Sequence, residues 1–253
     1  MSQDQLESAY ARLDHFVISQ KFSGFDPYDT LTSSIPFKKW GKWPPIIAIQ
    51  IQKRNPWSCR KLLGIKKEVN PKGIGLFLHS FSLEYQRTNS KELLPIMDEL
   101  FEKLIQLRTK GYDEYCWGYN FDWASPVKFL EAYSPTIVAS VFIAKGVYEY
   151  FQATNSEKAK KVLLSVGDFI LNQLDVTEDE TGICFSYSVE MTDCCYNASM
   201  LGCEHFARLY KITGDSRFRE LAVKSANFVV NKQLTDGSWG YSINYATGEE
   251  RNQ

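Results

Sequence analysis

The stretch YFQATNSEKAKKVLLSVGDFILNQL (150–174) decides the fold, because two other stretches repeat its pattern. They are EYQRTNSKELLPIMDELFEKLIQL (84–107) and LYKITGDSRFRELAVKSANFVVNKQL (209–234). In each one an aromatic residue is followed three positions later by Thr, and then by a Ser that opens a second helix. These serines are 66 (156 − 90) and then 60 (216 − 156) residues apart. Repeats of this length indicate stacked supersecondary units.

Each joint between the helices of a repeat predicts a tight turn. Gly214 can take the left-handed conformation that ends a helix, and Asp215 can cap the next helix. Asn89 and Asn155 hold the equivalent places in the other repeats, and we expect them to act as caps. Such a short joint leaves the two helices antiparallel. The repeat therefore predicts a series of helical hairpins.

The two helices of each hairpin differ in character. The helix before the joint is apolar all round and rich in small residues, as in 134–151 and 197–210. The helix after the joint is amphipathic. This contrast predicts an inner and an outer helix, and hence an all-α fold, an α/α toroid of helical hairpins. An open solenoid is the alternative, although solenoid repeats are usually shorter, about 34–47 residues.

Long loops are expected at the end of the hairpins opposite the short joints, where a ring would bring them together over a funnel. One of them, GYDEYCWGYNFDW (111–123), holds six aromatic and three acidic residues. Aromatic faces against sugar rings, with carboxylates and amides on the hydroxyls, are a common way to bind carbohydrate. The predicted substrate-binding residues are Trp117, Tyr119, Asn120, Trp123, Tyr187, Trp239, Asp26 and Asp29.

The same loops supply candidate catalytic acids. Asp122 lies between Phe121 and Trp123, an apolar setting that raises the pKa of a carboxyl group by desolvation. Hydrolysis of a glycosidic bond needs a second carboxylate, for which the candidates are Asp113, Glu190 and Asp193. The alternative is that these acids face solvent or cap helices, and Asp193 in particular precedes a predicted helix.

Composition narrows the possible partners. The formal net charge of −1 gives no reason to expect nucleic acid. The longest apolar runs are too short to cross a bilayer, and the polar N-terminus differs from a secretory signal. We therefore expect a cytoplasmic protein without membrane insertion. Six cysteines form no CxxC pair, so no metal site and no cofactor is predicted.

The segment QLTDGSW (233–239) resembles the Q…G-x-W motif of squalene and hopene cyclases, in which Gln and Trp tie together outer helices of an α/α barrel. This resemblance implies a fold. The acidic D-x-D-D run of those cyclases is absent. A terpenoid cyclase or prenyltransferase-like protein is therefore an alternative function.

A second resemblance extends along the whole chain. Its motifs are FDPYDTLTSS (25–34), RNPWSCRKLLGI (54–65), NPKGIGLFL (70–78), YCWGYNFDW (115–123), SPTIVAS (134–140), CFSYS (184–188), NASMLG (197–202) and DGSWGYS (236–242). In these motifs and their order the sequence resembles a bacterial family linked to exopolysaccharide and lipopolysaccharide biosynthesis, some of whose members are labelled Vibrio polysaccharide biosynthesis proteins. The resemblance implies a six-hairpin-like toroid and a carbohydrate context.

Members of that family continue beyond the DGSW segment, whereas this chain stops at TGEERNQ. We therefore expect one domain over 1–253 with about four hairpins, in a ring that is unclosed at the C-terminus. A partner chain or a second copy would close it.

These patterns predict a carbohydrate-active or carbohydrate-binding protein of surface-polysaccharide biosynthesis. An enzyme of this kind, whether hydrolase, lyase or epimerase, would place two funnel acids about 5–10 Å apart. A non-catalytic glycan-binding or scaffold module would have the aromatic residues without such a pair.

Overall fold

The computed structural model describes residues 2–126, 128–244 and 247–251. The chain forms two compact units, which we describe separately. Unit 1 comprises residues 1–74 and 119–133, and unit 2 comprises residues 75–118 and 134–253.

Unit 2 contains the three helical hairpins that the repeat predicts. The inner helices are α3 (Pro71–Thr88, of which the first turn belongs to unit 1), α5 (Ile137–Thr154) and α7 (Tyr196–Thr213). The outer helices are α4 (Leu94–Gln106), α6 (Glu157–Gln173) and α8 (Ser216–Val230).

The three joints share one geometry, which explains the sequence pattern. Asn89, Asn155 and Gly214 all have left-handed backbones, with φ of 54°, 54° and 72°. Each donates its N–H to the carbonyl of the aromatic residue four positions earlier, at 2.7, 2.7 and 2.8 Å. The Thr before each joint donates its hydroxyl to the carbonyl four residues back, at 2.8, 2.7 and 2.8 Å. The aromatic and the Thr therefore belong to the helix end.

The structure corrects the role of the two asparagines, which end the inner helices and do not cap the outer ones. Ser156 caps α6 by accepting from the Ala159 N–H (3.3 Å), and Asp215 caps α8 by accepting from the Arg217 N–H (3.0 Å). An Asn tolerates the left-handed conformation better than other residues with a side chain. Asn at these positions thus does what Gly214 does in the third repeat.

The inner helices approach one another closely. A Cβ added to Gly146 of α5 would meet the Gly75 carbonyl oxygen of α3 at 2.2 Å, and one added to Gly75 would meet the Ile143 Cα at 2.8 Å. One added to Gly202 of α7 would lie 3.1 Å from the Ile137 Cδ1 of α5. Small residues allow this approach, as their abundance in the inner helices predicts.

Short antiparallel strands follow the outer helices. Strands β3 (Val176–Asp179) and β4 (Gly182–Phe185) form a hairpin that packs on α8. Strands β5 (Cys194–Cys195), β6 (Ser242–Asn244) and β7 (Glu249–Arg251) form a sheet in that order. The β5–β6 pairing joins the loop before α7 to the segment after α8.

Unit 1 consists of helices and turns around a small apolar core. It holds α1 (Gln3–Ser19), α2 (Trp43–Arg54), 3-10 turns at Asp29–Thr32 and Phe37–Trp40, and a hairpin of β1 (Trp123–Ala124) and β2 (Phe129–Leu130). The core contains Leu31, Ile46, Ile49 and Ala124, with Tyr28 and Phe37 packed against it. The loops 21–34 and 119–133 therefore meet on α2.

Candidate functional site

Unit 1 gathers charged and aromatic side chains around Asp26. The backbones of Gly24 and Glu68 pair through two hydrogen bonds of 3.0 Å, which brings the loop 21–34 to the segment before α3. We call the resulting group the Asp26 cluster. It consists of Asp26, Asp29, Arg60, Glu68, Asn70, Lys72, Tyr119, Asn120 and Tyr133.

Asp26 is half-buried and is held in place on both carboxylate oxygens. Oδ1 accepts from the Tyr28 N–H (3.0 Å) and Oδ2 accepts from the Asn70 Nδ2 (3.2 Å). Burial raises the pKa of Asp26, and the neighbouring Asp29 carboxylate raises it further, against the lowering effect of the two hydrogen bonds and of Arg60. Asp26 therefore retains its proton to a higher pH than an exposed aspartate does.

Asp29 is buried and bound by a single guanidinium. Arg60 Nε lies 3.2 and 2.9 Å from its two oxygens, and Arg60 NH2 donates to the Asp26 carbonyl (2.9 Å). A buried carboxylate needs such a partner, because an unpaired charge is costly away from water. Asp29 thus has a structural role in shaping the loop, and its charge acts on Asp26.

Lys72 brings an amine to the same group. It lies on the first turn of α3, where Asn70 accepts from the Lys72 N–H at 2.9 Å and donates to Asp26 through the same side chain. Burial lowers the pKa of Lys72, and the Asp26 carboxylate opposes this shift. The Lys72 Nζ lies 5.9 Å from the centre of the Tyr119 ring. The sequence Asn70-Pro71-Lys72 therefore starts α3 and also supplies two members of the Asp26 cluster.

The remaining members come from the two ends of the 119–133 segment. Tyr133 donates its N–H to the Tyr119 carbonyl at 2.6 Å, which closes the segment at its base. Asn120 donates through Nδ2 to the Glu68 carboxylate at 2.8 Å. Burial raises the pKa of Tyr133, and Glu68 adds to the effect. Tyr119 and Asn120, both predicted to bind substrate, thus contact Lys72 and Glu68 of the cluster.

Asp122 has a cation beside it. Its Oδ1 accepts from the Ala132 N–H (2.7 Å), and its Oδ2 forms an ion pair with the Lys38 ammonium. In the sequence, Asp122 has the apolar neighbours Phe121 and Trp123. In the structure it also has a lysine from a distant segment beside it. The neighbouring Trp123 is partly buried and lies under the Lys128 ammonium, 5.1 Å from its ring centre.

Trp117 belongs to the interior of unit 2. Its side chain has no accessible surface, its indole N–H donates to the Leu104 carbonyl (2.9 Å), and its ring stacks on Tyr115. A fully buried indole with its polar group satisfied stabilises the packing between α4 and the loop that follows. Trp117 therefore has no exposed face for a sugar ring.

Unit 2 brings three of its loops together at the N-terminal ends of α5 and α7. The Thr136 N–H donates to the Trp117 carbonyl (3.1 Å), and the Ile137 N–H donates to the Tyr187 carbonyl (3.1 Å). Ser134 donates its hydroxyl to Glu190 at 2.8 Å. Together with the β5–β6 pairing, these bonds place Tyr187 and Glu190 among loops far apart in sequence.

The other predicted residues of unit 2 lie in different settings. Asp113 is exposed, and Asp193 is buried. Asp193 does not cap α7, because the helix begins at Tyr196 and its N-cap is Cys195. Trp239 is partly exposed and donates its indole N–H to the Val229 carbonyl (2.7 Å). That bond ties the turn to the end of α8, in keeping with the structural Trp that the cyclase resemblance implies.

Sequence reasoning missed Lys72, Arg60, Glu68 and Lys38. Lys72 lies in the NPKGIGLFL segment, whose Asn-Pro pair indicates a helix start and not a charged site. Within the described ranges there is no group of three or more His, Cys, Asp or Glu side chains that could hold a metal ion. Among those same residues, no helix has both the length and the apolar character needed to cross a membrane.

No protein-family model matches the chain, and no curated protein matches it. Solved structures do match. A cellobiose 2-epimerase from Bacillus thermoamylovorans B4167 aligns with 72% of this chain and 50% of its own, at 13% identity and a TM-score of 0.58. A GH76 α-mannanase from Bacteroides thetaiotaomicron aligns with 73% and 50%, at 16% identity and a TM-score of 0.54.

A third match is an inactive variant of the α-1,6-mannanase of Salegentibacter sp. HEL1_6, solved in complex with α-1,6-mannotetrose. It aligns with 71% of this chain and 47% of its own, at 17% identity and a TM-score of 0.52. The chain thus spans about half the length of each of these proteins. The likeness confirms the predicted fold: an α/α toroid of helical hairpins, in keeping with an incomplete ring.

Proposed function

We propose that this protein binds or transforms a glycan or a sugar intermediate of surface-polysaccharide biosynthesis, with the Asp26 cluster as its site. The observation that carries the proposal is the half-buried Asp26, whose pKa is raised, next to Lys72, whose pKa is lowered. A carboxyl group that keeps its proton to a higher pH and an amine that loses its proton at a lower pH offer an acid and a base in one cluster.

The cluster also contains groups that recognise sugars. Tyr119 supplies an aromatic face beside Lys72, and Asn120 supplies an amide beside Glu68. Aromatic rings pack on the apolar faces of sugars, and amides bind hydroxyl groups. Five charged side chains make the cluster unlike the apolar cavity that a terpenoid cyclase requires. Carbohydrate is therefore the better-supported ligand.

The proposed acid–base roles follow from the surroundings of each group. Asp26 donates its proton to a sugar oxygen that becomes negative during the reaction, and Lys72 accepts a proton in its neutral form. Asp29 stays bound to Arg60, and its proximity to Asp26 favours the protonated form of Asp26. Epimerisation, isomerisation and elimination all need such a proton donor and acceptor.

The fold resembles that of the epimerase and the mannanases described above. The positions of the aspartates in this chain do not support a mannanase mechanism. The inactive mannanase variant carries replacements of two successive aspartates. No two successive aspartates occur in this chain. The proposal therefore rests on Asp26 and Lys72, while Asp122, Asp113, Glu190 and Asp193 stay secondary candidates for catalysis.

The polysaccharide context of the proposal is supported by the motif resemblance described above. FDPYD, NPKGIG and WGYNFDW, which are among the segments that carry this resemblance, supply Asp26, Asp29, Lys72, Tyr119 and Asn120 of the cluster. Segments that carry the resemblance therefore meet in one charged cluster, which is expected of a functional site.

Binding and turnover of a panel of hexoses, disaccharides and nucleotide-linked sugars test the proposal. With a saccharide that the wild type converts, we expect Asp26→Asn and Lys72→Met each to lower kcat by about 100-fold or more, the size of a lost general acid or base. Asp168→Asn, a change of the same type on the exposed side of α6, should leave kcat within twofold.

The outcomes separate the hypotheses. If saccharides bind and are not converted, and Tyr119→Ala abolishes binding, the protein is a glycan-binding module. Unchanged turnover in both Asp26→Asn and Lys72→Met would refute the assigned site.

A further inference from the structure

A second feature of unit 1 lies outside the Asp26 cluster. The segment FKKWGKW (37–43) places three lysines and three aromatic rings in seven consecutive positions. It contains the 3-10 turn Phe37–Trp40 and leads into α2. Trp40 and Trp43 are both 58% exposed, which is unusual for so large an apolar side chain. No part of the acid–base site accounts for this segment.

The segment borders a cavity of about 370 Å³ that opens to solvent. Its lining includes Lys38 and Lys42 from this segment and Ser125, Lys128 and Phe129 from the 119–133 segment. Pro45, at the start of α2, adds apolar surface. A concave site with apolar walls and a few converging polar groups is typical of small-molecule binding, and its volume suits a ligand of one or two sugar rings.

The charge around this cavity is positive. Its described lining residues include three lysines and no acidic side chain. One of these lysines, Lys38, forms an ion pair with Asp122. Several lysines around one cavity favour a bound anion, because like charges brought together destabilise one another.

The start of α2 borders the cavity through Pro45. Pro44 and Pro45 have no N–H group to donate, so the lysines are the groups that would bind an anion. The Lys38 ammonium lies 5.6 Å from the centre of the Phe129 ring, which lines the same cavity.

We propose that this cavity binds a sugar phosphate, with Lys42 and Lys128 on the phosphoryl group and Phe129 beneath the sugar ring. A phosphomonoester carries a charge of about −1.5 to −2 at pH 7, which attracts lysines more strongly than the −1 of a sugar carboxylate does. The inference does not depend on acid–base chemistry at Asp26, and it adds a ligand class to the chain.

Isothermal titration calorimetry on the full chain tests the inference. The ligands are the 1-phosphates of glucose, galactose and mannose, each paired with its neutral sugar, together with inorganic phosphate. We expect at least one hexose 1-phosphate to bind at least tenfold more tightly than its neutral sugar and than inorganic phosphate. Because a charge-assisted hydrogen bond is worth about tenfold in affinity, Lys42→Gln and Lys128→Gln should each weaken binding by about that factor.

The matched control is Lys39→Gln, which removes the same charge from the same segment at an exposed position that does not line the cavity. It should change the affinity less than twofold. Lys42→Arg combined with Lys128→Arg keeps both charges and should bind within about threefold of the wild type. Circular dichroism spectra that match the wild type show that a variant is folded.

Three results would overturn the proposal. One is that no hexose 1-phosphate is preferred over its neutral sugar, and another is that Lys39→Gln costs as much as Lys42→Gln. The third is binding to vesicles that contain phosphatidic acid without binding to any hexose 1-phosphate, which would make the tryptophans and lysines a membrane-surface contact. Binding to both would support the proposal and show that the site recognises the phosphoryl group of a free sugar phosphate and of a lipid alike.

Discussion

The two units of this protein are stabilised in different ways. Unit 2 repeats one hairpin design, with left-handed joints and inner helices that touch through glycines. Unit 1 has short elements and a small core, and it holds its loops with charged pairs such as Arg60–Asp29 and Lys38–Asp122. A regular apolar scaffold tolerates few changes in volume, whereas a charged loop cluster tolerates few changes in charge. The following substitutions test this contrast.

The largest expected effect is that of Gly146→Ala in unit 2. The new Cβ would lie 2.2 Å from the Gly75 carbonyl oxygen, and two helix backbones must separate to accommodate it. We expect a loss of about 3 kcal/mol or more in the free energy of unfolding, measured by urea denaturation. Gly73→Ala is the control in unit 1, because its Cβ meets only the Asn70 Cβ at 3.7 Å. That change should be neutral or stabilising by up to about 1 kcal/mol.

The next effect is a dependence of unit 2 on pH. His205 is buried in α7, where its Nε2 lies 3.0 Å from the Leu163 carbonyl oxygen, and burial lowers the pKa of His205 to about 4. Between pH 6.5 and 4 the unfolded chain binds this proton and the native state does not. Stability therefore falls as the pH falls through this window, by about 3 kcal/mol in total from His205 alone.

Unfolding free energies of the wild type and His205→Gln across pH 4–7 measure this contribution. The difference between the two proteins should change by about 3 kcal/mol over that range, and parallel profiles would contradict the assignment. Asp26 of unit 1 has the opposite sign. Because its pKa is raised, its contribution to stability is present below the unfolded value and is lost as the pH rises.

A smaller effect is expected in unit 1 from Arg60→Met. The change leaves the Asp29 carboxylate buried without its guanidinium, and we expect a loss of about 2–3 kcal/mol. Arg54→Met removes an exposed arginine of the same unit and should cost less than about 0.5 kcal/mol. Adding Asp29→Asn to Arg60→Met should recover part of the loss, because the unpaired charge is then gone. Equal losses in the two single arginine variants would remove the contrast between the units.

The smallest effect tests the joints. Asn155→Ala places a residue with a Cβ and no side-chain amide in the left-handed conformation, at a cost of about 1 kcal/mol. Asn155→Gly should be tolerated within a few tenths of a kcal/mol, since Gly214 does the same work in the third repeat. A thermal unfolding experiment on both variants distinguishes a requirement for backbone conformation from a requirement for the amide.

The same contrast explains what the sequence could predict. The hairpins of unit 2 are encoded by local signals, namely a Thr, a left-handed residue and an N-cap within a few positions. The repeats at 84–107, 150–174 and 209–234 were therefore sufficient to predict these hairpins. The toroid fold follows from the apolar inner and amphipathic outer helices. The small strands after α6 and α8 were not predicted. The β5–β6 pairing joins residues far apart in the chain, and the strands of the local β3–β4 and β6–β7 hairpins are only three or four residues long, too short for a clear alternating pattern.

The sites of unit 1 depend on long-range pairs that no local pattern contains. Lys38 lies 84 residues before Asp122 (122 − 38), so the apolar neighbours of Asp122 in sequence misrepresent its surroundings in space. Trp117 shows the reverse error, because alternating aromatics in a loop do not reveal which ring turns into the core. The predicted meeting of the unit 1 and unit 2 loops over a single funnel stays a prediction.

The bond between the Tyr133 N–H and the Tyr119 carbonyl has a consequence for how this protein can diversify. A segment whose two ends are tied to each other can be lengthened, shortened or exchanged between those ends without moving the points where it departs and returns. Part of the lining of the 370 Å³ cavity, including Ser125, Lys128 and Phe129, and the aspartate bound to Lys38 lie inside that stretch. New ligand preferences can therefore arise there while the hairpin scaffold keeps its sequence.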